Sequence, residues 1–248
     1  MNVAKDGLII WSARTGEADK ALTVLTEEGL VTAYARGCLR PNGRLTSATT
    51  TLSFSNLELA SGKNMYTLVN AESIRKFYLI YRDAKRYALA TYFCEVLRLL
   101  VPAGEEAAPY LRIMLNMLHL INDQKKPLWQ IKSVFELSMM TLSGYMPNAF
   151  DCSSCGRESD LFVYFDYLSG SWFCRECAEK KGFSAEVPFS VIRAVQYVIT
   201  ADPKKAFAFE LKEPASTIFS NLCERFLLTH IEHDLPTLNY YKVLDSTD

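Results

Sequence analysis

Thr51-Leu-Ser-Phe-Ser-Asn-Leu-Glu-Leu-Ala60, then Ser61-Gly62-Lys63-Asn64, then Met65-Tyr-Thr-Leu-Val-Asn-Ala71 is the stretch that decides the N-terminal fold. Leu52 and Phe54 alternate with Ser53 and Ser55, and Leu57 and Leu59 flank Glu58. A period of two predicts strands with one buried face. The four residues between them carry turn chemistry. Working backward, Leu8 to Arg14, Ala21 to Thr26 and Leu30 to Arg36 read as three more strands, separated by Gly16, Gly29 and Pro41-Asn42-Gly43. Five short strands with no long helical pattern between most of them predict a small closed barrel. The five-stranded oligonucleotide-binding barrel, the OB-fold, is one such solution. An SH3-like barrel reads nearly the same.

Working forward, the period changes to helical from about residue 77. Leu111, Met114, Leu115 and Leu118 share a face; so do Ile131, Val134, Phe135, Ser138 and Met139, with Ser138 the one polar member. Pro102-Ala103-Gly104 and Pro127 separate these segments, and Gly144 sits where a C-terminal cap is expected. Val191, Ala194, Val195 and Val198 mark another helix, and Phe219, Leu222, Cys223, Phe226 and Leu227 a last one. The expected architecture is multidomain α+β: an OB-fold barrel over 1–76 and a helical domain over 77–248, with an inserted four-cysteine zinc module at about 150–180.

The zinc module rests on spacing. Cys152 and Cys155 are separated by two residues, as are Cys174 and Cys177, and eighteen residues lie between the pairs. Each tight turn aims two sulfurs at one ion, and two such turns complete a tetrahedron. Gly156 relieves the backbone at the first turn, and Leu161 to Phe173 reads as the intervening hairpin. A redox pair needs one Cys-x-x-Cys, not two spaced to meet. Four thiolates leave no position for water or substrate, so one structural Zn2+ is expected, not a catalytic one.

Composition narrows the function. The 248 residues are 49% hydrophobic and 22% charged, with no apolar run long enough to span a bilayer. No signal peptide is evident at the N-terminus, and seven cysteines argue against a full disulfide framework. A cytoplasmic location follows as an expectation. The net charge of −1 is unevenly spread: residues 1–86 carry 12 Lys/Arg against 8 Asp/Glu, residues 87–248 carry 15 against 20. No acidic residue falls between Glu28 and Glu58, where Arg36, Arg40 and Arg44 stand. The N-terminal third is therefore the candidate electrostatic footprint. Its candidate nucleic-acid contacts are Arg14, Lys20, Arg36, Arg40, Arg44 and Lys63, with a second cluster of Arg75, Lys76, Arg82, Lys85 and Arg86 that reads equally as the wet side of a helix. Tyr34, Phe54 and Tyr66 supply aromatic faces of the kind on which bases stack, although Phe54 fits the barrel core better.

Other residues read as structural. Cys94 and Cys223 lie in apolar helical patterns. Cys38 stands in a basic loop, where a spectator thiol remains the better reading. His230 and His233 have metal-binding spacing but no third ligand. No P-loop, nucleophile elbow, zincin or dinucleotide motif occurs, and no enzyme is expected.

Several elements together resemble the RecO family: Thr15-Gly16-Glu17-Ala18-Asp19-Lys20; Ala35-Arg36-Gly37 with Arg40 and Arg44; Leu57-Glu58-Leu59 with Gly62 and Leu68; Phe135-Glu136-Leu137 through Leu142, Gly144-Tyr145 and Pro147 into Cys152 and Cys155-Gly156; then Phe165, Gly170 and Cys174 to Cys177. Leu238 to Leu244 is similar to the family's short basic tail, although Lys242 is its only basic residue. The resemblance implies a nucleoid-associated recombination mediator of the RecFOR pathway in DNA repair. Such a protein binds single- and double-stranded DNA, anneals complementary strands, and with RecR helps load RecA onto strands coated by the single-strand binding protein SSB. It also implies an apolar pocket with a cationic rim in the helical part for the SSB C-terminal tail. The rival reading is a zinc-ribbon interaction module of a transcription or translation factor, with RNA or protein as target.

Overall fold

A computed structural model describes residues 2–40, 45–62, 65–102, 106–158, 162–183 and 186–246. The chain divides into two compact units, Met1–Gln124 with Leu235–Asp248, and Lys125–Asp234.

The first unit begins with five strands: β1 (Asn2–Thr15), β2 (Asp19–Thr26), β3 (Gly29–Ala35), β4 (Phe54–Ala60) and β5 (Tyr66–Arg75). They form a closed barrel in the order β1-β2-β3-β5-β4. All neighbours are antiparallel except β3 and β5, which meet in parallel at Ala33–Tyr66 and Tyr34–Thr67. Strand β1 closes the barrel by serving two partners. Its first half pairs with β4 from Asn2–Ala60 to Leu8–Phe54, and its second half with β2 from Gly7–Thr26 to Thr15–Asp19. This explains why it starts well before the expected Leu8: the polar residues ahead of Leu8 are extended by pairing, not by apolar alternation.

The barrel interior holds Ile9, Leu22, Val24, Ala33, Ala35, Cys38, Leu57, Leu59 and Leu68. Leu8 and Leu25 are paired across β1 and β2 and are fully buried, yet lie outside this cluster. Helices α1 (Ala84–Leu100) and α2 (Ala108–Asp123) pack on β1 and β2, which accounts for the unbroken apolar run Leu8-Ile9-Ile10. At the strand opening on Thr51, the structure differs from expectation. Leu52 has φ of 70° and its N–H donates to the Ile9 carbonyl, so extended structure begins only at Phe54. The inward phase of β4 is then Ser55, Leu57 and Leu59. The buried Ser55 hydroxyl donates to the Ala48 carbonyl at 2.9 Å, while Phe54 is half-buried on the other face and outside the barrel core.

A 3-10 turn at Ile80–Arg82 leads into α1, whose N-cap Asp83 accepts from the Arg86 N–H at 3.0 Å. The stretch expected as a short tail is helix α7 (Pro236–Asp245), which packs on α1. Leu238 and Tyr241 are its buried anchors.

The second unit contains α3 (Leu128–Leu142), the hairpin β6 (Phe162–Asp166) and β7 (Ser171–Cys174), α4 (Arg175–Lys180), α5 (Phe189–Thr200) and α6 (Ala215–His230). Its centre is the α3–α6 pairing. Helix α3 is buried nearly all round, and Lys132 and Glu136 are buried on it. The Lys132 ammonium lies 2.7 Å from Glu136 Oε1 and 2.8 Å from Glu224 Oε2 on α6. Burial opposes the lysine's charge, but the two carboxylates outweigh it and raise its pKa. Among the described residues no helix is long and apolar enough to cross a membrane.

Candidate nucleic-acid interface and metal centre

In the first unit, strand pairing gathers four of the basic residues at one end of the barrel. Arg14 and Lys20 are cross-strand partners, Lys20 pairs with Ala35, and Arg36 follows directly. Arg14 is exposed, and its guanidinium donates to the Gly16 and Glu17 carbonyls at 3.2 and 2.6 Å. Lys20 Nζ lies 3.5 Å from the Thr49 carbonyl oxygen. Arg36 is exposed, with its guanidinium 5.9 Å from the centre of the Tyr34 ring. Arg40 is exposed, with its guanidinium over Gly37. Arg44 and Lys63 lie outside the described residues.

An acidic residue organises this end. Asp19 Oδ1 accepts from the Gly37 N–H at 2.6 Å, and Oδ2 accepts from the Tyr34 hydroxyl at 2.6 Å. These two donors, aided by Arg36 and Arg40 nearby, hold the Asp19 carboxyl below the usual carboxylate range. In the sequence, Asp19 stands out only within the element Thr15 to Lys20. The available signal was an Asp facing a Gly-containing corner, since Asp side chains commonly hold backbone N–H groups at turns. Cys38 is fully buried in the barrel core, and burial raises its thiol pKa despite the basic surroundings. Low reactivity follows.

The second basic cluster is less uniform. Arg75 and Arg82 are exposed and Lys76 is half-buried. Lys85 Nζ pairs with Asp245 at 2.9 Å. Arg86 donates to Asp83 and to the Ile121 carbonyl, both at 3.1 Å, so it braces the start of α1.

In the second unit the four expected cysteines meet. The Sγ atoms of Cys152, Cys155, Cys174 and Cys177 all lie within 4.8 Å of one another, and Cys155 and Cys174 are 3.9 Å apart. A tetrahedral ion with metal–sulfur bonds of about 2.3 Å needs sulfurs roughly 3.8 Å apart, so the arrangement can hold a metal ion. The local chain is built for it. The Gly156 N–H donates to the Cys152 carbonyl at 2.8 Å, closing the first turn with Gly156 at φ of 67°. Cys174 ends β7 and is the N-cap of α4, which carries Cys177. The Cys174 N–H donates to Cys152 Sγ at 3.4 Å. Burial raises the Cys152 pKa, but backbone donors led by Cys174 outweigh this and lower it to about 6. Cys177, crowded by the Cys174 thiol and by burial, is pushed up to about 11. Three of the four are buried and Cys155 is exposed.

Aromatic packing supports this centre. Trp172 and Phe165 are buried, their rings 4.8 Å apart, and Phe165 meets Phe226 of α6 edge-on at 5.3 Å. Tyr164 stacks on Phe183 at 3.9 Å. His230 is engaged otherwise: its ring nitrogens face the Phe226 and Leu168 carbonyls at 2.9 and 3.2 Å. A cavity of about 540 Å³ also lies in this unit, between α5 and the segment 209–211. Its wall includes Phe150, Tyr197, Phe209 and Leu211, together with Arg193 and Glu210.

A two-unit α+β protein, with a closed barrel bearing a cationic end and a helical unit bearing a four-thiol centre, is thus defined. The family model for the N-terminal domain of recombination protein O matches residues 1–77, and the model for its C-terminal domain matches residues 81–239. The chain belongs to the RecO family of DNA repair proteins. It is 28% identical over 247 residues to the DNA repair protein RecO of Acetivibrio thermocellus, covering 99% of this chain and 98% of that one. It is 28% identical over 246 residues to the protein of the same name from Symbiobacterium thermophilum, covering 97% of each. The Halalkalibacterium halodurans protein of that name is 25% identical over 223 residues, 89% of this chain and 87% of that one.

Proposed function

We propose that this chain is a non-enzymatic recombination mediator whose barrel is an OB-fold that binds single- and double-stranded DNA. It anneals complementary strands and, with RecR, helps load RecA onto SSB-coated single strands in the cytoplasm, at the nucleoid. The observation that carries the reading is the barrel order β1-β2-β3-β5-β4 with Arg14, Lys20, Arg36 and Arg40 gathered at one end, in a chain of the RecO family. Cationic loops at a barrel end suit a phosphate backbone, because neutralising phosphates releases counterions. Four convergent thiols suit Zn2+ in a closed structural site, held by Cys152, Cys155, Cys174 and Cys177. The cavity walled by Phe150, Tyr197 and Phe209, with Arg193 beside it, has the apolar anchor and the cation that an acidic, aromatic-ending SSB tail requires.

Annealing of complementary oligonucleotides coated with SSB tests the reading. The chain should accelerate annealing, and adding RecR should speed RecA assembly on the coated strand. A chain that leaves the annealing rate at its uncatalysed value is not such a mediator. RNA or protein binding in its place would favour an interaction module. Elemental analysis of reduced protein should return one zinc per chain.

A further inference from the structure

By charge alone, Asp19 works against a barrel end made of cations. A carboxylate among phosphate-binding groups repels the ligand. The geometry assigns Asp19 a different part: it is a positioning residue that latches the corner after β3 so that Arg36 and Arg40 are presented together. This inference rests on the proposed DNA contact and deepens it.

The corner is fastened at three adjacent points. The Gly37 N–H donates to Asp19 Oδ1 at 2.6 Å, Cys38 is buried in the barrel core, and the Leu39 N–H donates to the Ala18 carbonyl at 2.9 Å. Gly37 turns the chain with φ of 63°, and the Arg40 N–H donates back to its carbonyl at 3.2 Å. The pattern from Ala35 to Arg40 is therefore anchored inward at Ala35 and Cys38 and exposed at Arg36 and Arg40. Both guanidinium groups rest on parts of the latch. That of Arg36 sits over Tyr34, whose hydroxyl donates to Asp19 Oδ2. That of Arg40 lies back over Gly37, close enough that a Cβ there would be 3.4 Å from its Nε. Removing the carboxylate would strip an acceptor from Gly37 and from Tyr34 at once. The two arginines would then sample more conformations, and binding would have to order them.

Charge and position predict opposite signs for one substitution, which makes the test decisive. The full chain is titrated with an oligothymidylate single strand at several salt concentrations. Arg36→Ala and Arg40→Ala serve as tests of the DNA contact itself. Asp19→Ala adds one unit of net positive charge, yet affinity should fall roughly three- to tenfold, the scale of ordering one or two long side chains. Asp19→Asn removes the same charge but keeps an oxygen to accept from Gly37. It should bind at least as tightly as wild type. Hydrogen exchange at Gly37 should be faster in Asp19→Ala than in Asp19→Asn, with the strand amides unchanged. If Asp19→Ala binds as tightly as wild type or tighter while the arginine variants weaken binding, the positioning role is overturned and the DNA contact stands. If the arginine variants bind as wild type, both fall. Should Asp19→Ala fail to fold, Tyr34→Phe removes only the hydroxyl half of the latch. Weaker binding at unchanged salt slope then supports the inference, and unchanged affinity overturns it.

Discussion

The two units hold themselves together in different ways. The barrel of the first is apolar inside: Ile9, Leu22, Val24, Leu57 and Leu59 fill it, and the buried hydroxyls of Thr26 and Ser55 each donate to a carbonyl. The second unit encloses charge and sulfur. Lys132 sits between Glu136 and Glu224, and four thiols converge from the turn before the hairpin, the end of β7 and α4. An apolar core tolerates partial loss, because each side chain contributes separately. A metal centre or buried ion set does not, because removing one member leaves the others unsatisfied. The barrel should therefore weaken by degrees, and the second unit should fail at single points.

The largest effect that would break this contrast is loss of the proposed zinc. Cys155→Ser or Cys174→Ser, or a strong chelator, should release the ion and unfold residues 150–180. A structural zinc supplies on the order of 10 kcal/mol of folding free energy. Protection from amide exchange should collapse in that segment alone, and DNA binding by the barrel should survive in part. Equal loss of protection in the barrel would refute the contrast.

Next comes Lys132→Met, which leaves Glu136 and Glu224 facing each other without their shared cation. It should cost about 3–5 kcal/mol, read as the denaturant midpoint of the second unit. Replacing all three residues with apolar ones of similar volume should recover most of it. Leu57→Ala in the barrel should cost about 2–4 kcal/mol from lost burial and the cavity left behind, with zinc content unchanged. Arg36→Ala should be the mildest for stability, within about half a kcal/mol. It should nonetheless make the slope of log K against log salt shallower by roughly 0.7 on a single strand. An unchanged slope would remove Arg36 from the contact.

Legibility in the sequence followed the same division. Alternation at Leu57 and Leu59 and turn residues between runs suffice for five strands, because a half-buried strand writes its pattern every second residue. The four cysteines were legible from spacing alone. Where pairing partners or packing decide, the sequence is silent. Asn2 to Asp6 are extended because β4 lies alongside, and their polar residues carry no strand signal. Phe54 looked like core and Ser55 like surface, and the left-handed Leu52 reverses that phase. Lys132 and Glu136 stand four apart, the spacing of a solvated helix pair, so the ion set enclosed by α6 was invisible. Asp19 was hidden for a related reason: its partners, Tyr34 and Gly37, are 15 and 18 residues away.

The return of α7 to the first unit has a consequence for how the chain is made. Its partner α1 leaves the ribosome early, but Leu238 and Tyr241 emerge only after residues 125–234 have been synthesised. At about 5–20 residues per second, the stretch from the end of α1 to Tyr241 is a wait of roughly 7–28 s during which the α1 surface stays uncovered. Over that interval the second unit is finished while the first is not. The nascent barrel must either stand with its helical flank open or be shielded by chaperones until the last helix arrives.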